Sequence, residues 1–557
     1  MKRLVAVSAV LALVFCMAFA QGAPEVEQET SNYDYTMPTE RVTLTVGVKE
    51  DIVVADWETN LMTKLIEEKF NVNLDFITFP SKEIGTKLNL MAMDGGKGMP
   101  DIILHAAKDN EISSWSSMGV IIPLTEYFED DTLAANIQEA WDRIGFDYRG
   151  QVTSPDGEIY TIPSFNQSYG NEQPMKIWLY KPFLDALGLE VPTTTEELRE
   201  VLKAVVNGDP NGNGKKDEIG ISGTSIGLNF ASSPSGWFEA IMNSFVYAGG
   251  DQFLTVENGK LGAAYTTEEW KEGLAYLRSL MAEGLLQDNI LTQDNSSFKA
   301  LINSEDPVIF MKVWYTAEGD IDKSRIARYS EYVGVTPFYG PEGKHYMTYR
   351  QTVASPRLLV SSNCKYPALA FAIGDYLSSE EMSIITRWGE RGVDWDYVTD
   401  MADTSAYDGM YEKVGFDKYI VCYDDASFWS SGNPQNKSWR QQGPYVRQYA
   451  IANGQSNVKG SIKDYQYALA EYQYTLQNGD SKPEEIIPKL VYTDEENSQI
   501  NEIKLTLKTY VDEYASQVID GQKDLDATWA EFQSEIKKIG LDTYLSVSQN
   551  VYDRMYK

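Results

Sequence analysis

The chain has 557 residues, 43% of them hydrophobic and 23% charged, which is enough for two or more domains, each with its own core. Its formal charge of -34, from 82 acidic against 48 basic residues, argues against nucleic acid and anionic lipid as partners, since both are held mainly by Lys and Arg. Two histidines, His105 and His345, remove most zinc centres and most Ser-His or Cys-His nucleophiles.

Lys2 and Arg3 precede an uninterrupted apolar or small-residue run over 4–20 that ends in Ala18-Phe19-Ala20. Basic start, short apolar stretch and small-x-small exit form a secretory signal over residues 1–20. The run is shorter than the roughly 20 residues of a membrane anchor. An extracytoplasmic place, periplasm or cell surface, follows. Leu13-Val14-Phe15-Cys16 loosely resembles a lipidation box with a bulky Phe15 where a small residue is normal, so a lipid anchor at Cys16 is the alternative to free release. Residues 21–40 are polar and Pro-containing, the composition of a flexible tether. Cleavage leaves Cys364 and Cys422, and the sequence leaves open whether they pair.

Residues 42–48 alternate apolar and polar as a strand does, and Trp57, Leu61, Leu65 and Ile66 have helical spacing over 57–70. Residues 72–79 read as a strand, 88–93 as helical, and 100–104 as a short buried strand. This alternation predicts an open α/β sheet whose ligand crevice lies beyond the carboxyl ends of its strands. Residues 150–162 read as a hairpin turning at Ser154-Pro155-Asp156-Gly157. A polar stretch over 164–174 leads to a strand over 176–180 and a second α/β run. Thr194 with Glu197 fits a capping box. Further helices are predicted over 267–283 and 367–380, and a long Tyr-rich helical region follows residue 463.

The segment 209–218 carries the most chemistry. Asp209, Asn211, Asn213 and Asp217 place oxygen side chains at loop positions 1, 3, 5 and 9, with Gly214 at 6 and the Lys215 carbonyl at 7. That is the ligand spacing of a calcium loop. Position 12 is Gly220, so the bidentate glutamate of an EF-hand is absent, and Glu218 is the substitute. The expected role of Ca²⁺ is structural.

The run from Ile177-Trp178-Leu179-Tyr180 to Gly188-Leu189, with Pro192-Thr193-Thr194 and the calcium loop after it, resembles the extracellular solute-binding proteins of family 1. These are the sugar receptors of ATP-driven (ABC) importers, and the likeness is to the large oligosaccharide binders with a calcium loop. Asn258-Gly259-Lys260, Glu283-Gly284-Leu285, Gly340-Pro341-Glu342-Gly343-Lys344 and Asn363-Cys364-Lys365-Tyr366-Pro367 continue the series in family order. The resemblance implies a two-lobed α/β periplasmic-binding-protein fold (type II), each lobe a mixed sheet flanked by helices, closing on ligand by a hinge. It implies a first lobe of 41–165 and 351–385 and a second of 175–350 and 386–557. The crossings would lie near 164–174, near 351–358 and after Glu380.

For sugar, aromatic faces and hydrogen-bonding groups are needed. The family pattern points to Phe165, Asn166, Gln167 and Tyr169 on the first crossing, Trp314 and Tyr315 after a strand, Tyr349 and Arg350 before the second crossing, and Trp395 after the third. Asp56 and Trp57 would line the cleft from the first lobe. The implied partners are a small carbohydrate and ABC permease subunits, with the chain a monomer and no enzyme. A secreted glycosidase or lyase, or a sensor module on the same fold, are the alternatives.

Overall fold

Parallel pairing of Val42–Lys49 with Val72–Phe79 runs in register over all eight residues, from Val42 opposite Val72 to Lys49 opposite Phe79. The computed structural model describes residues 39–225, 236–325, 327–409, 412, 415–423, 433–458 and 465–557. The signal segment, Cys16 and all but the end of the tether lie outside them. Helix Leu61–Phe70 joins the two strands. It starts later than the apolar spacing suggests because Asn60 accepts the Met62 amide (3.1 Å), while Asn71 ends it at φ 52°.

Ile102–Leu104 extends the sheet on the other side of Val42–Lys49, also in parallel. Ser355–Val360, arriving from the far lobe, inserts antiparallel between Ile102–Leu104 and Ile162–Asn166. One face of this sheet packs Ile84, Leu88, Ile112 and Trp115 around Phe79 and Ile103. Ile162 and Leu358 pack against Gly374 of Pro367–Leu377, leaving no room for a Cβ there. Residues 150–162 form less of a hairpin than expected. The turn is present, with Gly157 at φ 90°, but only Thr153 and Ile159 bridge.

The second lobe holds a four-stranded sheet in the order Tyr332–Val335, Lys176–Tyr180, Ile309–Trp314, Ile219–Ile221. Every residue of Lys176–Tyr180 is buried, which its run of large apolar side chains requires. The expected capping box opens Thr195–Asn207: Thr194 Oγ1 accepts the Glu197 amide (3.1 Å), and Glu197 accepts from the amides of Thr193 and Thr194. Leu198, Val201, Leu202 and Val205 then face the core. Three C-terminal helices, Asp494–Ile519, Leu525–Ile539 and Leu541–Tyr556, close it, with Tyr514 stacked 4.1 Å from Phe532. No described helix is long and apolar enough to cross a membrane.

The assignment of 386–557 to the second lobe needs correction. Tyr445–Arg447 pairs in parallel with Ile162–Asn166 at the edge of the first sheet. Trp439 donates to Thr63 Oγ1 (3.0 Å), and Gln442 bonds both the amide and the carbonyl of Lys49 (3.0 and 2.9 Å). These bonds hold the stretch from Glu380–Trp388 to Tyr445–Arg447 on the first lobe. The third crossing therefore follows Gln455–Val458 and precedes Tyr465–Asn478, whose Tyr472 joins the second-lobe core. Cys364 and Cys422 are separate thiols, the latter buried.

Candidate ligand site at the junction of the lobes

The first crossing runs from Asn166 to Lys176 and contains one short helical turn, Tyr169–Glu172. Glu172 is 3% exposed and ties the crossings together. Its carboxylate accepts from Thr352 Oγ1 on the second crossing (2.9 Å), from the Tyr449 hydroxyl on the first lobe, and from Gln477 Nε2 on a second-lobe helix (3.3 Å). Its carbonyl accepts the Arg350 amide (2.8 Å). Burial pushes the carboxyl above its usual range, and the Tyr449 and Thr352 hydroxyls pull it back. A buried carboxylate with this many donors is a fixed point about which two bodies can swing.

Tyr315 follows strand Ile309–Trp314 and brings the second lobe against that turn. Its hydroxyl lies 3.4 Å from Asn171 Oδ1, and a Cβ on Gly170 would overlap it. Lys176, 1% exposed, sets the Tyr315 main chain by donating to its carbonyl (3.0 Å), with the ammonium 4.6 Å from the ring centroid. Burial lowers the Lys176 pKa to about 7. On the first lobe, Arg447 sits 4.6 Å from the Tyr445 ring and 5.4 Å from Trp388. Its register partner is Asn166, and both the Asn166 Oδ1 and the Arg447 Nε are buried without a partner. Orphaned polar atoms of this kind are costly unless something else meets them. Gly170→Val is expected to hold Tyr315 off the crossing, and solution scattering should then give a larger radius of gyration than the parent chain. An equal radius would show that this contact does not limit closure.

The expected site residues divide. Tyr169 packs against Tyr449 (5.4 Å) and Phe416 (5.6 Å), and with Asn166 and Tyr315 it belongs to the junction. Gln167 flanks it but spends its amide on the Ile144 carbonyl (3.1 Å). Tyr349 and Arg350 border a cavity on the second crossing. Trp314 is half-buried and lies over Gly319, where no Cβ would fit, so its ring braces the loop after its own strand. Phe165 is a core residue, stacked between Phe146 and Tyr148 at 5.7 Å each. Trp395, expected in the cleft, is fully buried and donates to the Gly389 carbonyl (2.9 Å) inside a small sheet. Asp56 is exposed and caps the amides of Glu58 and Thr59, while Trp57 packs on Phe76 and Trp439. Sequence reasoning missed Glu172, Tyr449 and Arg447, because their partners come from distant stretches and no local spacing marks them.

In the loop 209–218, Gly212 and Gly214 adopt φ 71° and 76°, which lets the chain curl. Asp209 Oδ2 accepts the Gly214 amide (3.0 Å), and Asn213 Oδ1 accepts that of Lys215 (2.8 Å). The amide nitrogens of Asn211 and Asn213 converge on Asp217 (3.2 Å each). Glu218 is 6% exposed, and no described side chain donates to either carboxylate oxygen. Burial raises its pKa against the pull of the Glu218 and Asn211 backbone amides, and the charges of Asp217 and Asp209 add to the rise. Among the described residues no three His, Cys, Asp or Glu side chains gather as a metal cluster. The donor set nevertheless fits a hard cation: one orphaned carboxylate, two further carboxylates, and two amides that present oxygen when turned over.

No protein-family model matches the chain. It is 26% identical over 522 residues to FusA of Streptococcus pneumoniae, a fructooligosaccharide ABC transporter substrate-binding protein, across 90% of this chain and 88% of that one. The structure of FusA with kestose superposes with a TM-score of 0.69 at 22% identity, covering 92% and 99% of the two chains. A FusA EF-hand mutant with fructo-nystose gives 0.68 at 22%, again over 92% and 99%. An HMO-binding, ABC-transporter-associated solute-binding protein of Bifidobacterium longum infantis gives 0.73 at 17%, over 93% and 99%.

Proposed function

We propose that this chain, which has the fold of the ABC-transporter substrate-binding proteins and sequence kinship with them, captures an oligosaccharide between its lobes and delivers it unaltered to a membrane importer. The observation that carries the reading is the Glu172 node, where four stretches of chain meet between two separately cored sheets, with Tyr169, Tyr315 and Tyr449 around it. Tyrosine rings offer flat apolar faces to the C–H side of a pyranose and hydroxyls to its edge. Kestose in FusA supports a sugar as the guest. The ligand contacts proposed are Asn166, Tyr169, Trp314, Tyr315, Tyr349 and Arg350.

The reading makes the chain a receptor, monomeric and non-enzymatic, working outside the cytoplasm after removal of residues 1–20, free or tethered through Cys16. Calcium bound by Asp209, Asn211, Asn213, the Lys215 carbonyl, Asp217 and Glu218 would brace the second lobe, since this loop joins helix Thr195–Asn207 to strand Ile219–Ile221. The existence of an EF-hand mutant of FusA supports a cation loop of that kind in a relative.

A glycan panel read by thermal shift and solution scattering tests the proposal. A bound oligosaccharide should raise the melting temperature, reduce the radius of gyration and be recovered chemically intact. Recovery of cleaved sugar, or binding with no compaction, would sink it.

A further inference from the structure

Beside the second crossing lies a cavity of about 520 Å³, inside the size range of small-molecule sites. Its walls are four tyrosines, among them Tyr349, Tyr492 and Tyr544, aliphatic side chains flanking Lys489, and the cations Arg350, Lys489 and Lys504. None of the described residues lining it is an aspartate or glutamate, in a chain where acids outnumber bases 82 to 48. A wall of one sign in such a background raises the local concentration of the opposite sign.

Among the described residues, two of these cations have no ion-pair partner. The half-buried Arg350 side chain makes no hydrogen bond or ion pair with any described residue, and its amide alone is used, on Glu172. Lys504 lies over two rings, 5.5 Å from Tyr492 and 5.6 Å from Tyr544, and forms no ion pair with a described residue. Lys489 is different: it pairs with Asp109 (3.0 Å) and bonds the Gln151 carbonyl (3.2 Å), linking this wall to the first lobe. Lys482, 4.2 Å from the Tyr349 ring, adds another positive charge behind the wall. The acid whose charge reaches Arg350 is Glu239, 1% exposed and already bonded to Thr348 Oγ1. Burial lifts its pKa to about 7, so at neutral pH it carries only part of a charge.

We propose that this cavity receives an acidic sugar unit, a hexuronate, with its carboxylate between Arg350 and Lys504 and its ring against the tyrosines. The inference rests on the reading of the chain as a carbohydrate receptor and narrows it to anionic oligosaccharides. A guanidinium offers a carboxylate two parallel N–H donors, and the ammonium adds a point charge. A neutral sugar of the same size would fill the space but leave both cations unpaired.

Calorimetric titration of the full mature chain tests this with trisaccharides of galacturonate, glucuronate and mannuronate, against kestose and the uncharged galactose trisaccharide. At least one uronate should bind, more weakly as salt rises, and tenfold or more weakly to Arg350→Gln and to Lys504→Gln. Neither side chain is bonded to the protein framework, so both variants should melt within a few degrees of the parent. Binding of a neutral trisaccharide with no response to any uronate would overturn the acidic-sugar inference and leave the receptor standing. Uronate binding that neither variant weakens would also overturn it, because the carboxylate would lie elsewhere. If no sugar of either kind binds, the carbohydrate reading falls as well.

Discussion

Removing the cation from loop 209–218 is expected to lower the melting temperature by about 3–4 °C. A ligand held only by the folded state stabilises it by mass action, about 3–4 kcal/mol at 100- to 1,000-fold saturation. In a folded unit spanning Pro38–Lys557 each kcal/mol moves the midpoint by roughly 1 °C. The structural source of the effect is electrostatic. Without a cation the charges of Asp217 and Asp209 act on the buried Glu218 carboxyl, and no described side chain donates to it. Calorimetry in chelator, then with Ca²⁺ or Mg²⁺ restored, measures it. Calcium should restore the midpoint and magnesium should not, because Mg²⁺ sheds its water reluctantly and demands tighter octahedral geometry. Glu218→Gln should lose most of the response to chelator. A midpoint indifferent to metal, with removal verified by elemental analysis, rules the loop out as a calcium site.

Legibility of the fold from sequence tracked how local its causes are. The first sheet was readable because the period changes cleanly from 2 to 3.6 and back between residues 42 and 79. The Thr194–Glu197 box was readable because both halves lie within one turn. The spacing of Trp57 with Leu61 and Leu65 predicts that it opens a helix. In the structure it leaves the helix to pack against Trp439, a partner from the far end of the first lobe. The third crossing was misplaced for a related reason. Tyr445–Arg447 has three residues, too few to show a period, and only its pairing with Ile162–Asn166 reveals which lobe it serves. For the site, crossing-segment positions such as Tyr169 and Arg350 can be named from sequence because connection points are few. Trp395 and Phe165 were not separable from cleft aromatics, since a buried tryptophan and a stacking one look alike in sequence. Glu172 and Tyr449 had no sequence signal at all: 277 residues separate two groups that share one hydrogen bond.

Replacing Glu239 by Gln is expected to flatten the pH dependence of stability between about pH 4.5 and 7. Glu239 lies on helix Trp237–Met242, 1% exposed, with Thr348 Oγ1 as its hydrogen-bond donor. Burial raises its pKa from 4.5 to about 7, against the pull of the Thr348 bond and the Arg350 charge. Across that window the folded chain therefore binds more protons at this site than the unfolded chain. Its contribution to stability is complete below pH 4.5 and falls as pH rises through 7, by about 3 kcal/mol at most. Lys176 and Lys312 act outside the window. Burial lowers both to about 7 from 10.5, so their stabilising share grows only as pH climbs from 7 towards 10.5. Denaturant titrations of parent and Glu239→Gln at half-unit steps isolate the term as a difference, because every other group titrates equally in both. Gln keeps an acceptor for Thr348, so the variant should match the parent near pH 4.5 and exceed it by roughly 2–3 kcal/mol at pH 7.5. A constant difference across the range would place the proton elsewhere. It would also mean that Glu239 is charged at neutral pH, and Arg350 would then already have its counter-ion.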